Sequence, residues 1–384
     1  MAGIGSPRGA GVHVPVGHPP VVFCTPGNRD LCEKIVGHLS WAIGRVRFRT
    51  FANGEISVKL EQSVANNDVF VICSRDDLEA EINFTLMQLL ILLDALKSEA
   101  PHRITAVLPT LEYARQDRRF MAGEAIAPKL LLHLMATAGA DRFVTLDLHN
   151  QAESGFSPAH TPLDELTAET YLAGFIRESI PDFKPEETLV CATDAGGAKR
   201  TRRFADELQV GFMMADKFRN RDGEGQVKII SDASPNPKSV IIIDDMFDTC
   251  GSLVQVAQAV HSFVPEARLY GVATHGYFSK DAEEKVASMV NNSRLEWLAV
   301  TNCISQRASV KKFEAGGIAD RLKVVDVSRL MAGAIIRIHL GASVNLPKFR
   351  KLGPHHPDPL LAEAAFVPTS QYTLKGAASS GPAH

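Results

Sequence analysis

"SVIIIDDMFDTCGSLVQVAQAV", residues 239–260, decides how this chain is read. Val240 to Ile243 form an apolar, β-branched run that stops at two adjacent acids, Asp244 and Asp245. A third acid, Asp248, follows, then the small residues Thr249, Cys250, Gly251 and Ser252, and after them an apolar pattern of helical period. A strand so uniformly apolar is buried on both faces, as strands of parallel sheets are. Two like charges at its end repel each other unless a cation or hydrogen-bond donors lie between them. A cis-diol together with Mg2+ supplies both. The loop then offers backbone N–H groups, the Thr249 and Ser252 hydroxyls and a helix N-terminus, a nest for a phosphate. A sugar phosphate satisfies both halves, diol on the acids and phosphate in the loop. Ser252 acting as a helix cap is compatible with that reading.

Outward from this stretch, strands alternate with helices. Residues 21–27, 68–74, 103–109 and 142–149 read as strands, with helices at 28–40, 81–100 and 127–139 between them. The theme returns with strands at 187–193, 210–216 and 268–276 and helices at 198–208 and 252–264. Apolar strands spaced by helices indicate parallel sheets covered on both faces. "LLDALKSEAPHRITAVLPTLEY" and "QVAQAVHSFVPEARLYGVATHGYF" share the order helix, Pro, Arg, apolar strand, aromatic, a weak internal repeat. The expectation is an α/β chain of two tandem domains with central parallel sheets. A disordered leader spans 1–20, a first domain 21–165 closed by 328–344, a second domain 166–327, and a mostly disordered Pro- and Gly-rich tail 345–384.

Composition narrows the class. With 384 residues, 45% hydrophobic and 22% charged, the chain is long enough for two cores. A net charge of −3 gives no reason to expect nucleic acid or an acidic membrane as partner. The longest apolar stretch, "FTLMQLLILLDALK", is interrupted by Gln88 and Asp94 and is too short to span a bilayer. No signal peptide or mitochondrial presequence is legible, and six scattered cysteines without CxxC pairs read as reduced thiols of a cytoplasmic protein.

Ligands of open parallel sheets sit beyond the carboxyl ends of the strands. There the chain delivers Asp194, Gly196 and Gly197, then His149, then "PTLEYARQDRRF", then Ser74, Arg75 and Asp76. Any one of these alone is more often a solvated strand end; together they mark a site. "MMADKFRNRDGEGQVKII" places Lys217, Arg219 and Arg221 ahead of Gly223 and Gly225, a hairpin flap able to close over a triphosphate and exclude water.

"VIIIDDMFDTCGSL" resembles the phosphoribosyl-diphosphate motif of type I phosphoribosyltransferases. With "FANGEISVKL", "LPTLEYARQDRRF", "AGADRFVTLDLH", "DAGGAKR" and "THGYFS", the order and spacing resemble the ribose-phosphate diphosphokinase family from about Val21 to Val344. The resemblance implies two phosphoribosyltransferase-like domains and Mg-dependent transfer of a diphosphoryl group from ATP to ribose 5-phosphate, for nucleotide biosynthesis. By matching positions, Asp244 and Asp245 hold the ribose hydroxyls, and Asp248, Thr249, Cys250, Gly251 and Ser252 bind the 5-phosphate. Asp194 and His149 match Mg2+ positions; Arg115, Gln116 and Asp117 belong to the ATP motif; Lys217 and Arg219 to a catalytic flexible loop. Phe51, Asn53 and Glu55 match an adenine-recognition hairpin reaching over from a neighbouring subunit, which implies a homo-oligomer of dimers built into a hexamer.

The chain departs from the family after "YARQD": Gly123 stands where many members carry arginine, Ala125 replaces a proline and Phe120 an acid, in a segment linked to regulation by phosphate and ADP. Two rivals share part of the pattern. A nucleobase phosphoribosyltransferase needs the sugar-phosphate loop and none of the other motifs. A catalytically silent associated subunit would not need the intact Asp194, His149, Lys217 and Arg219.

Overall fold

The computed structural model describes residues 18–76, 82–219, 225–231, 236–292, 295–344 and 359–364. Most of the expected leader and tail, Arg221 and Gly223 of the flap, and the side chains of Lys217 and Arg219 lie outside the described residues.

The first half contains β1 (Pro20–Cys24), α1 (Arg29–Leu39), β2 (Val46–Thr50), β3 (Ile56–Leu60), β4 (Asp68–Ile72) and α2 (Ile82–Ser98). It continues with β5 (Arg103–Leu108), α3 (Ala127–Ala138), β6 (Arg142–Leu146) and β7 (Leu163–Leu166). These make a parallel five-stranded sheet in the order β1-β4-β5-β6-β7, with β2 and β3 paired as a separate antiparallel hairpin. Helix α4 (Glu169–Ser179) leads to the second half: β8 (Thr188–Ala192), α5 (Ala198–Leu208), β9 (Gly211–Arg219), β10 (Gly225–Ser231) and β11 (Ser239–Phe247). Then come α6 (Gly251–Phe263), β12 (Arg268–Gly276), α7 (Ala282–Asn292), β13 (Leu295–Thr301), α8 (Arg307–Ala315), β14 (Leu322–Val325) and α9 (Ser328–His339). Their sheet runs β10-β9-β8-β11-β12-β13-β14, parallel except for the antiparallel β9–β10 pair.

Side-chain alternation along the strands builds three cores. On β11, Val240 and Ile242 pack outward beneath α6, with Val256 and Val260, while Ile241 and Ile243 point the other way. That second direction is a core shared by both sheets: Val22, Phe70 and Val144 from one, Val190, Val272 and Trp297 from the other. Helix α9 fills the shared core; all its residues but Arg329 are buried, the mark of a helix with no solvent face. The outer face of the first sheet packs on α2 and α3 through Leu89, Leu93, Leu132 and Met135. A short helix, α10 (Pro359–Ala364), lies within the expected tail and buries Leu361 in the shared core.

Cys24, at the end of β1, and Cys32, in the first turns of α1, face each other with Cα atoms 6.4 Å apart. The strand-to-helix turn folds α1 back onto its own strand and brings the two together. Cys73, Cys191, Cys250 and Cys303 are free and buried. Among the described residues no helix is long and apolar enough to cross a membrane.

Candidate active site

The strand order fixes where a ligand can go. The first sheet grows in one direction from β1, whereas the second starts at β8, adds β9 and β10 on one side, then crosses to β11 and continues on the other. The chain reverses between β8 and β11, and a crevice opens beyond the carboxyl ends of two such strands. There stand Asp194, just past β8, and Asp244 and Asp245, on β11. The carboxyl ends of β5 and β6 supply the facing wall.

A cavity of about 430 Å³ results, lined by Asp117, Asp147, His149, Asp194, Gly196, Lys199, Arg200, Asp244 and Asp245, among others. The structure thus brings together seven residues singled out in the sequence: Asp117, His149, Asp194, Gly196, Gly197, Asp244 and Asp245. His149 Nδ1 donates to Asp245 Oδ2 at 2.6 Å, so one sheet grips the other through the site. With Nδ1 engaged, Nε2 is the nitrogen left for a ligand. Asn150 Nδ2 donates to Asp117 Oδ2 at 2.7 Å, orienting that acid from the same loop.

The paired acids divide. Burial and the charge of its neighbour push Asp244 up. Burial alone would raise Asp245 as well, but the His149 hydrogen bond and the Arg200 charge hold it far below the usual carboxylate range. The hydrogen bond from His149 to Asp245 raises the imidazole in turn. The two adjacent carboxyls thus sit in different electrostatic settings, Asp244 raised and Asp245 lowered.

The loop after β11 has the form of an anion site. Cys250 adopts a left-handed conformation (φ 55°) at the start of α6 and gives it no side-chain cap, leaving first-turn amides to a ligand. Lys285 Nζ donates to the Thr249 carbonyl at 3.1 Å and adds a cation behind the loop. The Cys250 thiol is pushed up to about 12 by burial, so it is an inert filler in this loop. Arg115 Nη1 lies 2.7 Å from Asp248 Oδ2, and the two line a neighbouring cavity of about 300 Å³ with Glu112, Tyr113, Met246 and Tyr277.

Other expected residues lie elsewhere. Phe51, Asn53 and Glu55 are exposed at the tip of the β2–β3 hairpin and line neither cavity; Phe51 is 44% exposed. Gln116 is exposed and lines neither. Lys217 and Arg219 stand on β9 opposite Val227 and Gly225 of β10, an antiparallel pair of strands. Sequence reasoning missed Asp147, whose φ of 41° marks an unusual strand end, and Arg200. Asp147 Oδ2 accepts from Thr274 Oγ1 at 2.7 Å and from the Ala168 amide at 3.0 Å. The polar residue one step past an apolar strand was the available signal for Asp147.

The donor set suits a small hard cation. Carboxylates of Asp194, Asp244 and Asp245 and the imidazole of His149 share one cavity. Among the described residues no three His, Cys, Asp or Glu side chains converge as a closed cage. An ion that keeps several waters and takes phosphate oxygens from its substrate needs no such cage.

Two helix-covered parallel sheets in tandem, with a strand-to-helix loop at the switch point of the second, define a tandem phosphoribosyltransferase fold. Residues 20–139 match the model of the N-terminal domain of ribose phosphate pyrophosphokinase, and residues 222–350 that of the phosphoribosyl synthetase-associated domain. The phosphoribosylpyrophosphate synthetase from Mycobacterium smegmatis is 31% identical, covering 84% of this chain and 100% of its own, with a TM-score of 0.74. The chain belongs to the ribose phosphate pyrophosphokinase, or phosphoribosylpyrophosphate synthetase, family. A purine phosphoribosyltransferase from Pyrococcus horikoshii Ot3 aligns at 18% identity over 36% of this chain and 73% of its own, with a TM-score of 0.22.

Proposed function

We propose that the chain is a ribose-phosphate diphosphokinase, transferring the diphosphoryl group of ATP to the anomeric hydroxyl of ribose 5-phosphate to give 5-phosphoribosyl 1-diphosphate and AMP for nucleotide biosynthesis. One observation carries the reading: a single cavity joins the sugar acids Asp244 and Asp245 to Asp117 and His149 of the other sheet. A nucleobase phosphoribosyltransferase would have no use for that second wall.

Asp244 and Asp245 accept the ribose hydroxyls, and residues 248–252 hold the 5-phosphate on the amides that start α6. The anomeric oxygen then faces the wall that carries Arg115 and Asp117, where ATP lies. It forms a bond to the β-phosphorus as the bond from that phosphorus to the α-phosphate oxygen breaks; AMP leaves with that oxygen, and the proton of the anomeric hydroxyl passes to solvent. Such a transfer needs alignment and positive charge more than covalent help. Lys217 and Arg219 bring charge on the β9–β10 flap, which closes over the triphosphate and excludes water. Asp194 and His149 would hold magnesium, which would supply further charge against the diphosphoryl group. Phe51, Asn53 and Glu55, exposed in their own chain, serve the adenine of a neighbouring copy in a homo-oligomer of dimers assembled into a hexamer.

The test is AMP release from ATP and ribose 5-phosphate with Mg2+ and no nucleobase. Stoichiometric AMP and phosphoribosyl diphosphate support the assignment. Binding of ribose 5-phosphate without turnover would replace it with a silent regulatory subunit.

A further inference from the structure

We propose that Arg200 is a positioning residue for this transfer: its guanidinium docks the loop carrying His149 onto Asp245 and so sets the two walls of the site in register. The inference rests on the function proposed above. Arg200 lies in the first turn of α5, directly after Gly196 and Gly197. Its Nη2 donates to the Leu148 carbonyl at 2.9 Å, and its Nη1 lies 3.6 Å from Asp245 Oδ1. The other oxygen of Asp245 accepts from His149. One side chain therefore holds the residue before His149 and also the acid that His149 contacts.

Leu148 and His149 follow strand β6 of the first sheet, whereas Arg200 and Asp245 belong to the second. The bridge thus crosses the interface where sugar and nucleotide must meet. It is well shielded: the Arg200 side chain is 16% exposed and that of Asp245 7%. Adjacent cations are committed elsewhere. Arg203 Nε donates to Glu169 at 2.9 Å, and Lys199 reaches Gln151 at 3.3 Å on the exposed side. Both oxygens of Asp245 are thereby engaged, one from each sheet. A planar fork with five donors can serve a carbonyl and a carboxylate at once; a lysine ammonium on a flexible stem cannot hold that geometry.

Arg200→Gln, Arg200→Lys and Arg200→Gln/His149→Ala test this. Misplacement of a reacting group by about 1 Å costs on the order of a hundredfold in rate. Arg200→Gln should therefore lose about a hundredfold in kcat while KM for ribose 5-phosphate moves less than about threefold. Arg200→Lys should recover only a small part. The double variant should be no slower than His149→Ala alone, because both act through one contact. A kcat within threefold of wild type in Arg200→Gln, full rescue by lysine, or multiplying losses in the double variant would each overturn the proposal. A readout independent of turnover separates it from the functional reading: the His149 Nδ1 proton, assigned by NMR against His149→Ala. It should be strongly hydrogen-bonded in wild type and lost in Arg200→Gln. Its persistence there overturns the clamp, whereas an inactive wild type overturns only the assigned reaction.

Discussion

Arg115→Ala separates function from stability in a way the geometry makes quantitative. Arg115 reaches Asp248 at 2.7 Å, and its Nε lies 3.1 Å from Met246 Sδ. The Arg115 side chain is 56% exposed and that of Asp248 21%, so the pair is well solvated. Such pairs contribute about 0.2–1 kcal/mol, and the thermal midpoint should fall by no more than about 2 °C. The electrostatic effect on the ligand is larger. Without Arg115, the charge of Asp248 faces an incoming 5-phosphate uncompensated, and a separation of about 5 Å is taken to size the effect. Two unit charges at that distance repel by about 0.8 kcal/mol in bulk water and by about 3 kcal/mol at an effective dielectric of 20. The partial exposure of Asp248 places the penalty near 1 kcal/mol, about fivefold in KM for ribose 5-phosphate. Steady-state kinetics at low salt read it directly, and at about 1 M salt, where screening reaches about 3 Å, the increase should shrink towards nothing. An unchanged ribose 5-phosphate KM at low salt, or a midpoint lowered by more than 5 °C, would refute the reasoning.

Three further outcomes are expected. Lys217→Ala should lose about a hundredfold or more in kcat with no change in thermal midpoint, since removing a charge-stabilising donor of the transferred group costs about 3–4 kcal/mol in the barrier. Asp68, buried at the start of β4, accepts from Arg103 Nε and Nη2 at 2.9 and 2.7 Å and from His339 Nδ1 at 2.9 Å, tying the first sheet to α9. Burial pushes its carboxyl up, but these hydrogen bonds outweigh that and hold it below its ordinary value. A depressed folded pKa gives stability that is present above the unfolded value of about 3.9 and lost as pH falls through the folded one. Asp68→Asn should therefore cost about 3 kcal/mol at neutral pH in urea denaturation and remove part of the acid-induced loss below about pH 4. Gly271 on β12 leaves no room for a methyl: an added Cβ would stand 2.3 Å from Leu298 Cδ2 and 3.2 Å from Phe247 Cζ. Gly271→Ala should destabilise by about 1–3 kcal/mol, measured the same way.

Much of this architecture is written in local pattern. The strand–acid–loop–helix sequence of 239–260 appears as β11, the loop and α6, and the repeated helix–Pro–Arg–strand unit becomes α2–β5 in one sheet and α6–β12 in the other. Strand β7 is harder to see because its residues 163–166 read LDEL; Asp164 is buried by pairing with Arg142 of the neighbouring strand, a compensation no local window contains. Strand β13, with the apolar run LEWLAVT, was legible and passed over. Within the site, residues at strand ends were found because type and position coincide. The His149–Asp245 contact and its buttress Arg200 were not, because they join positions far apart in the chain whose meeting depends on two sheets packing on α9. Asp245 therefore looked like a twin of Asp244, although packing gives the two different partners.

The account is tested most directly by calorimetric titration of ribose 5-phosphate into wild type and into the Asp244→Asn/Asp245→Asn variant, with Mg2+ present and AMP release measured on the same samples. Wild type should bind the pentose phosphate and turn over, and the variant should lose turnover and at least tenfold in affinity while remaining folded. Equal affinity and equal AMP release in both proteins would contradict the placement of the sugar on β11.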